Sequence, residues 1–257
     1  MVDNYALITG ASSGIGAEFA RQLAAEGIHL ALVARNQQRL DALQAELRSA
    51  YPVAVETLSA DLSDETGIAR VTAFIQSLPP LDYLINNAGF GTTGFFAGSD
   101  IERQVAMVNV HVIATLRLCH AALPGMLARG SGAIVNVASV SAFAATPHSA
   151  VYSASKAALV NFSRGLHSEL LGTGVRVQAL CPGFTRTRFH DGADFKGFRQ
   201  EKLPGFMWLQ ADRVVADSLR ALRNNGPVVV VPGWINQLMS AFIQTPPGRM
   251  LLEVVSR

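Results

Sequence analysis

The chain has 257 residues, enough to bury a large hydrophobic core within one α/β domain. Because 49% of its residues are hydrophobic and only 16% are charged, an intrinsically disordered chain is excluded. A net charge of +2 without a basic run argues against nucleic acid as a partner.

Short apolar runs alternate along the chain with segments of helical periodicity. The runs predict strands at Tyr5–Ile8, His29–Val33, Val53–Leu58, Tyr83–Ile85, Ala133–Val137, Val175–Leu180 and Val228–Val231. The periodic segments predict helices at Gly14–Glu26, Gln37–Ala50, from the cap Asp64 to Gln76, Ile101–Leu127, Val151–Leu171 and Asp212–Arg223. This alternation predicts a single Rossmann-type, doubly wound α/β domain over residues 1–257. Its seven-stranded sheet is mostly parallel, with helices on both faces.

Two late segments stand outside that alternation. Residues 189–210 have weak periodicity and many polar and aromatic residues, which predicts an insertion or lid over the substrate. The apolar stretch Val228–Ile243 is broken by Pro232 and Gly233 and is too short to span a bilayer. Its last residues are expected to be core or a subunit interface, with peripheral membrane contact as the alternative.

The two cysteines, Cys119 and Cys181, are far apart, and no signal peptide precedes the first predicted strand. We therefore expect buried thiols in a reduced, cytoplasmic protein, without a disulfide framework or a metal site.

A glycine-rich turn joins the first predicted strand to the first predicted helix. Glycines let the backbone approach a pyrophosphate, and the helix N-terminus supplies amides and positive dipole. The pattern therefore predicts a dinucleotide site, although glycines can also simply make a tight turn. The candidate residues are Gly10, Ser12, Ser13, Gly14, Ile15 and Gly16.

The end of the second predicted strand indicates which dinucleotide binds. An NAD site usually has an acidic residue there, for the ribose 2′-hydroxyl. Here Ala34 is followed by Arg35, with Arg39 one helical turn later. Arginine can pair with a 2′-phosphate, so NADP(H) is predicted over NAD(H), unless both arginines are only surface charges.

A tyrosine and a lysine lie four residues apart at the start of a predicted helix. Tyr152 and Lys156 would share one helical face, and a nearby ammonium lowers the pKa of a phenol from its usual value near 10. Tyr152 could then act as an acid/base, although the pair alone is a weak motif. Ser139, just after the fifth strand, could orient a substrate oxygen, with Ser141 as the competing candidate.

Together these motifs resemble the short-chain dehydrogenase/reductase family, from the glycine-rich turn to about Thr187. The family's serine and tyrosine have the spacing of Ser139 and Tyr152, which favours Ser139 over Ser141. The resemblance implies that Lys156 also binds the nicotinamide ribose, and that Asn109 holds a water linking this lysine to solvent. It implies further cofactor contacts at Asp61, Leu62, Asn87, Ala88, Gly89, Pro182, Gly183, Thr185 and Thr187.

The predicted function is NADP(H)-dependent hydride transfer between nicotinamide and a carbonyl or secondary alcohol, with Ser139, Tyr152, Lys156 and Asn109 as the catalytic residues. The alternative is a dinucleotide-binding regulator of the same fold that has lost the chemistry. The family resemblance also implies a homodimer or homotetramer. An apolar or bulky substrate is expected from the candidate pocket residues Phe90, Phe95, Phe96, Phe143, Phe189, Phe198, Phe206, Met207 and Trp208. His148 and His190 are expected to lie on the surface or in the substrate wall.

Overall fold

The computed structural model describes residues 4–144, 147–190, 204–248 and 250. Its strands are β1 (Tyr5–Thr9), β2 (His29–Ala34), β3 (Val55–Ser59), β4 (Leu81–Asn86), β5 (Gly132–Val137), β6 (Val175–Leu180), β7 (Thr185–Arg186), β8 (Leu209–Gln210) and β9 (Val229–Val230). Its α-helices are α1 (Gly14–Ala25), α2 (Gln37–Ala50), α3 (Glu65–Ser77), α4 (Ile101–Val108), α5 (Ala114–Arg129), α6 (Ala150–Glu169), α7 (Ala211–Arg223) and α8 (Trp234–Ile243).

Seven strands form a parallel sheet in the order β3-β2-β1-β4-β5-β6-β9. This confirms the predicted α/β fold, and every strand pair of the sheet is parallel. The chain direction across the sheet reverses at β1, which lies between β2 and β4. Ligands of doubly wound sheets bind outside the carboxyl ends of the strands at such a switch point.

The core has two layers, one on each face of the sheet. Alternation along β1 sends Ala6 and Ile8 to one face and Leu7 to the other. The first face is covered by α1, α2 and α7, and the second by α3, α5 and α6. Both cysteines are buried, as predicted. Strands covered on both faces carry continuous apolar runs, which is why they were visible in the sequence.

The long helix predicted at Ile101–Leu127 is interrupted. A π-helical segment, Asn109–Ile113, joins α4 to α5, and the N–H of Ala114 bonds to the carbonyl of Asn109. The run Ile101–Arg129 is the one helix among the described residues that is long and apolar enough to cross a membrane. Buried side chains of α5 pack on the sheet and on α3, as in the core helix of a globular domain.

The apolar segment after β9 forms α8, which the sequence did not predict as a helix. Leu238, Met239 and Phe242 are exposed, so the expectation that they belong to the core is wrong within this chain. Their contact with a second subunit or a membrane stays a prediction.

The predicted lid, residues 189–210, lies mostly outside the described residues, and so does Phe198. Its two flanks meet in a short ladder, in which β7 pairs with β8 and the N–H of Leu209 bonds to the carbonyl of Phe184. The segment therefore leaves and returns beside the switch point, and its role as a lid stays a prediction.

Candidate active site

A cleft of about 970 Å³ opens at the carboxyl edge of the sheet. Every predicted cofactor or catalytic residue lines it except Gly16 and Asn109. The described structure thus gathers residues from the ends of β1, β2, β4, β5 and β6 and from the start of α6 into one cavity.

The glycine-rich turn forms one wall of the cleft. Gly10 and Gly14 have φ of +65° and +57°, a left-handed conformation that favours glycine. A Cβ on Gly16 would lie 2.4 Å from the carbonyl oxygen of Gly10, so this third glycine lets α1 approach the turn. Ser13 caps α1 without a side-chain hydrogen bond, and the first turn has no acidic residue. The backbone N–H groups of the first turn of α1 therefore have no side-chain cap, and they fit the negatively charged diphosphate of a dinucleotide.

Thr9 and Asn87 join the glycine-rich turn to the end of β4. The buried Thr9 hydroxyl accepts the backbone N–H groups of Asn87 and Ala88, each at 3.0 Å. The Asn87 amide donates to the carbonyls of Thr9 and Gly10, at 2.9 and 3.2 Å. Side-chain hydrogen bonds of Thr9 and Asn87 therefore connect the glycine-rich turn to the end of β4.

The end of β2 is basic where it borders the cleft. Arg35 and Arg39 both line the cavity, and the side chain of Asn36 caps α2 by accepting from the N–H of Arg39. Arg35 Nη1 lies 3.7 Å from Asp61 Oδ2 across an exposed gap. Burial alone would raise the pKa of Asp61, but hydrogen bonds from Ser63 and the Arg35 guanidinium outweigh it and lower the pKa.

Ser139, Tyr152 and Lys156 meet at the opposite wall. The Ser139 side chain faces the Tyr152 phenol and acts to lower its pKa. It also accepts the N–H of Ser141 at 3.1 Å, so Ser141 supports Ser139 through its backbone. Lys156 Nζ donates to the carbonyl of Val137 at 2.9 Å and lies 5.7 Å from the centre of the tyrosine ring. The helical spacing thus brings both side chains to one site, as predicted.

The pKa of Tyr152 departs from the sequence-based expectation. Burial raises it from 10.0 to about 12, although the bond to Ser139 acts in the opposite direction. Burial also lowers the pKa of Lys156 from 10.5 to about 7. The expected lowering by the ammonium is therefore wrong for the protein alone, because desolvation disfavours the charged form of both groups.

Asn109 opens the π segment and is half-buried. Its side-chain amide donates to the carbonyl of Ser63 at 3.0 Å. Because it does not line the cleft, its predicted role in proton transfer through a water stays a prediction.

The substrate end of the cleft combines aromatic and basic residues. Phe90 and Phe189 line it as predicted, whereas Phe95, Phe96 and Phe206 are exposed. His148 also lines it, in a strained left-handed conformation with φ of +66°. Sequence reasoning did not single out these further lining residues: Thr92, Thr93, Arg103, Val140, Phe184 and Arg188. Their local sequence carries no motif, since the fold alone brings them together.

The sequence and fold were compared with known proteins. Residues 4–194 match the model of the short chain dehydrogenase family. A putative ketoacyl reductase of Streptomyces coelicolor is 40% identical over 185 residues, which are 71% of this chain and 70% of the relative. The family match spans the glycine-rich turn, the Ser139–Tyr152–Lys156 cluster and the ends of all the strands that build the cleft.

Two solved structures extend the similarity over nearly the whole chain. A short-chain dehydrogenase from Sphingobium yanoikuyae in complex with NADPH has a TM-score of 0.84 and 38% identity, covering 90% of this chain and 88% of that one. A bulky-bulky ketone specific alcohol dehydrogenase from Comamonas testosteroni has a TM-score of 0.82 and 31% identity, covering 98% and 95%.

Proposed function

The chain belongs to the short-chain dehydrogenase family of oxidoreductases, and on that basis we propose that it is an NADP(H)-dependent carbonyl reductase. In this proposal hydride passes between nicotinamide and a carbonyl or secondary alcohol carbon, with Tyr152 as the acid/base. The observation that carries the proposal is the cluster of Ser139, Tyr152 and Lys156 in the same cleft as the glycine-rich turn.

The preference for NADP(H) rests on the basic end of β2. The turn residues would hold the diphosphate, and Arg35 and Arg39 would face the 2′-phosphate of the adenosine ribose. Arg35 already pairs loosely with Asp61, so a phosphate could recruit its guanidinium without breaking a buried ion pair. The similar NADPH-bound dehydrogenase from Sphingobium yanoikuyae supports the same choice.

The catalytic cycle assigns a separate task to each side chain. A bound nicotinamide dinucleotide supplies hydride chemistry. Ser139 orients the substrate oxygen by a hydrogen bond, and Tyr152 Oη gives it a proton during reduction or removes one during oxidation. With a pKa of about 12, Tyr152 is protonated at neutral pH, which suits the acid needed for reduction. When Lys156 carries a charge beside the site, it favours the phenolate that remains after proton transfer.

We propose an apolar, bulky carbonyl compound as the substrate. The cleft beyond Tyr152 is lined by Phe90, Val140, Phe184 and Phe189, which favour an apolar group on the carbonyl carbon. The ketoacyl reductase and the bulky-ketone dehydrogenase named above both have names that indicate carbonyl substrates.

The first experiment measures cofactor binding through nicotinamide fluorescence, in the wild type and in Arg35→Ala. We expect tighter binding of NADPH than of NADH, and a selective loss of about tenfold for NADPH in the variant, since one charge-assisted bond to phosphate is removed. Equal binding of NADH by the wild type contradicts the assigned cofactor preference but leaves the chemistry of Tyr152 standing.

The second experiment measures NADPH oxidation with a panel of aromatic, aliphatic and small polar ketones. Tyr152→Phe keeps the ring and removes the hydroxyl that is the proposed acid/base. We expect at least a 10³-fold loss of kcat with an unchanged Kd for NADPH. Retained turnover contradicts the assignment of the acid. Binding of NADPH without turnover of any carbonyl compound favours the non-catalytic regulator.

A further inference from the structure

His111 is a buried histidine that touches the walls of the active site without lining the cleft. It lies in the π segment Asn109–Ile113, on the side that faces the sheet and α6. Its ring is 1% exposed and meets the Tyr152 ring edge-on, with centroids 5.7 Å apart at 74°. A Cβ on Gly89 would lie 2.7 Å from His111 Nε2, so the histidine also fills the space that this glycine leaves.

The hydrogen bonds of the ring determine where its proton lies. Nε2 accepts the backbone N–H of Phe90 at 3.3 Å, so this nitrogen carries no proton. Nδ1 lies 2.8 Å from Ser155 Oγ, and the Ser155 hydroxyl donates its one hydrogen to the carbonyl of Tyr152 at 2.7 Å. Ser155 must therefore accept from Nδ1–H. Burial and the nearby Lys156 lower the pKa of His111 well below its usual value, in agreement with a neutral ring.

We propose that His111 is a positioning residue for Tyr152, an inference that rests on the proposed carbonyl reductase function. Its neutral ring connects the loop after β4, through Phe90, to the first turn of α6, through Ser155. The loop carries one wall of the cofactor cleft, and the turn carries the catalytic phenol. The hydrogen bonds of His111 to Phe90 and Ser155 therefore set the distance between the Tyr152 phenol and the place where the substrate carbon meets the nicotinamide.

The π segment explains how a helix can present this side chain. The π turn accommodates an extra residue, and the adjacent residues Val110 and His111 are both buried. The carbonyl of His111 accepts the Thr115 hydroxyl at 2.8 Å. Thus both nitrogens and the carbonyl of His111 have partners. Phe90 lines the cleft, and Ser155 bonds to the carbonyl of Tyr152, which lines it too. A histidine that only filled core volume would need neither.

The test compares three variants with the wild type. His111→Leu places an apolar side chain in the same space and removes the hydrogen bonds to Phe90 and Ser155. His111→Asn is the conservative variant, since its amide nitrogen stands where Nδ1 stood and can still donate to Ser155. Ser155→Ala removes the other partner of the same bond. Each is measured for NADPH affinity by fluorescence, and for kcat and KM with the best ketone of the panel.

We expect His111→Leu to lower kcat 10- to 100-fold while the Kd for NADPH changes less than twofold, since a small displacement of the acid slows proton transfer. His111→Asn should recover at least a third of the wild-type kcat. Ser155→Ala should reduce kcat about as much as His111→Leu, and the double variant should lose little more. A kcat within twofold of wild type in His111→Leu overturns the proposal. So does an increase in Kd as large as the loss of kcat.

A readout without turnover separates this proposal from the proposed function. With tyrosine labelled at Cζ, the four tyrosines of the chain give four NMR signals, and Tyr152→Phe identifies the one of interest. His111→Leu should shift or broaden the Tyr152 signal and leave the other three in place. If the wild type reduces none of the ketones, the proposed function fails. The Tyr152 signal alone then decides whether His111 positions Tyr152. An unmoved Tyr152 signal overturns the positioning role whatever the activity.

Discussion

Replacing Lys156 by methionine should stabilise the protein while abolishing its activity. The lysine is 4% exposed, and its amine has the carbonyl of Val137 as its hydrogen-bond acceptor. Burial lowers its pKa from 10.5 to about 7, because the charged form loses its hydration and no acidic side chain of the described residues compensates. Methionine has a similar length and no charge to desolvate, so it removes this cost along with the proposed catalytic amine.

The expected gain follows from proton linkage. Below pH 10.5 the unfolded chain protonates Lys156, while the folded chain does so only near pH 7. The free energy of unfolding of the wild type therefore falls as the pH falls from about 10 to 7, by about 1.4 kcal/mol per pH unit. The total reaches about 4 kcal/mol at pH 7, and the lost bond to Val137 offsets about 1 kcal/mol of it. The net stabilisation of Lys156→Met at pH 7 is about 3 kcal/mol.

Urea unfolding of the cofactor-free protein, followed by circular dichroism between pH 6.5 and 9.5, measures this difference. The gain in unfolding free energy of Lys156→Met over the wild type should be largest at pH 6.5, the acid end of this range, and shrink steadily towards pH 9.5. Arg117→Met, which removes an exposed cation of α5, is the matched control. Its free energy of unfolding should change with pH as that of the wild type does. If the free energy of unfolding of Lys156→Met also changes with pH as that of the wild type does, the lysine keeps its charge on folding. The reasoning from desolvation is then wrong.

Three further substitutions test the rest of the site. Gly16→Ala should lower the free energy of unfolding by about 1–3 kcal/mol in urea titrations and weaken NADPH binding, because its Cβ meets the carbonyl of Gly10 at 2.4 Å. An unchanged stability would show that the turn can open. Thr9→Val should cost about 1–3 kcal/mol in the same assay, since the N–H of Ala88 loses its acceptor and that of Asn87 keeps only the carbonyl of Ile85. Ser139→Ala should lower kcat about 100-fold with an unchanged Kd for NADPH, and Ser141→Ala, whose backbone bond remains, should lose at least tenfold less. Equal losses would contradict the choice between the two serines.

The sequence predicted the sheet because both faces of its strands are covered. An apolar run such as Tyr5–Thr9, buried throughout, is typical of a strand covered on both faces, and the helices between the strands favour parallel pairing. Short-range signals also sufficed for the turn at Gly10–Gly16 and for the pair Tyr152 and Lys156. In both cases a few consecutive residues on one element carry the geometry. The predicted cap Asp64 likewise accepts the N–H of Gly67 three residues later.

Other features needed contacts between distant segments. Two features have no distinctive pattern of apolar residues in the sequence. The pattern does not distinguish the ladder of β7 with β8 from a loop, or the exposed helix α8 from a core segment. The π segment adds one residue to a helix, and the apolar residues around it keep a helical spacing. The sequence pattern therefore does not reveal it. The aromatic candidates could not be sorted, since Phe90 in the cleft and Phe95 on the surface lie five residues apart in one loop.

The sequence by itself thus predicted the α/β fold and the side chains that are candidates for the chemistry. Only the tertiary structure decided their environment: that Tyr152 has a raised pKa and Lys156 a lowered one, and that His111 joins Phe90 to Ser155. The physical reason is that a strand, a turn or a helical face is encoded by neighbours in the chain. Desolvation and hydrogen-bond partners depend on which groups from distant segments close around an atom.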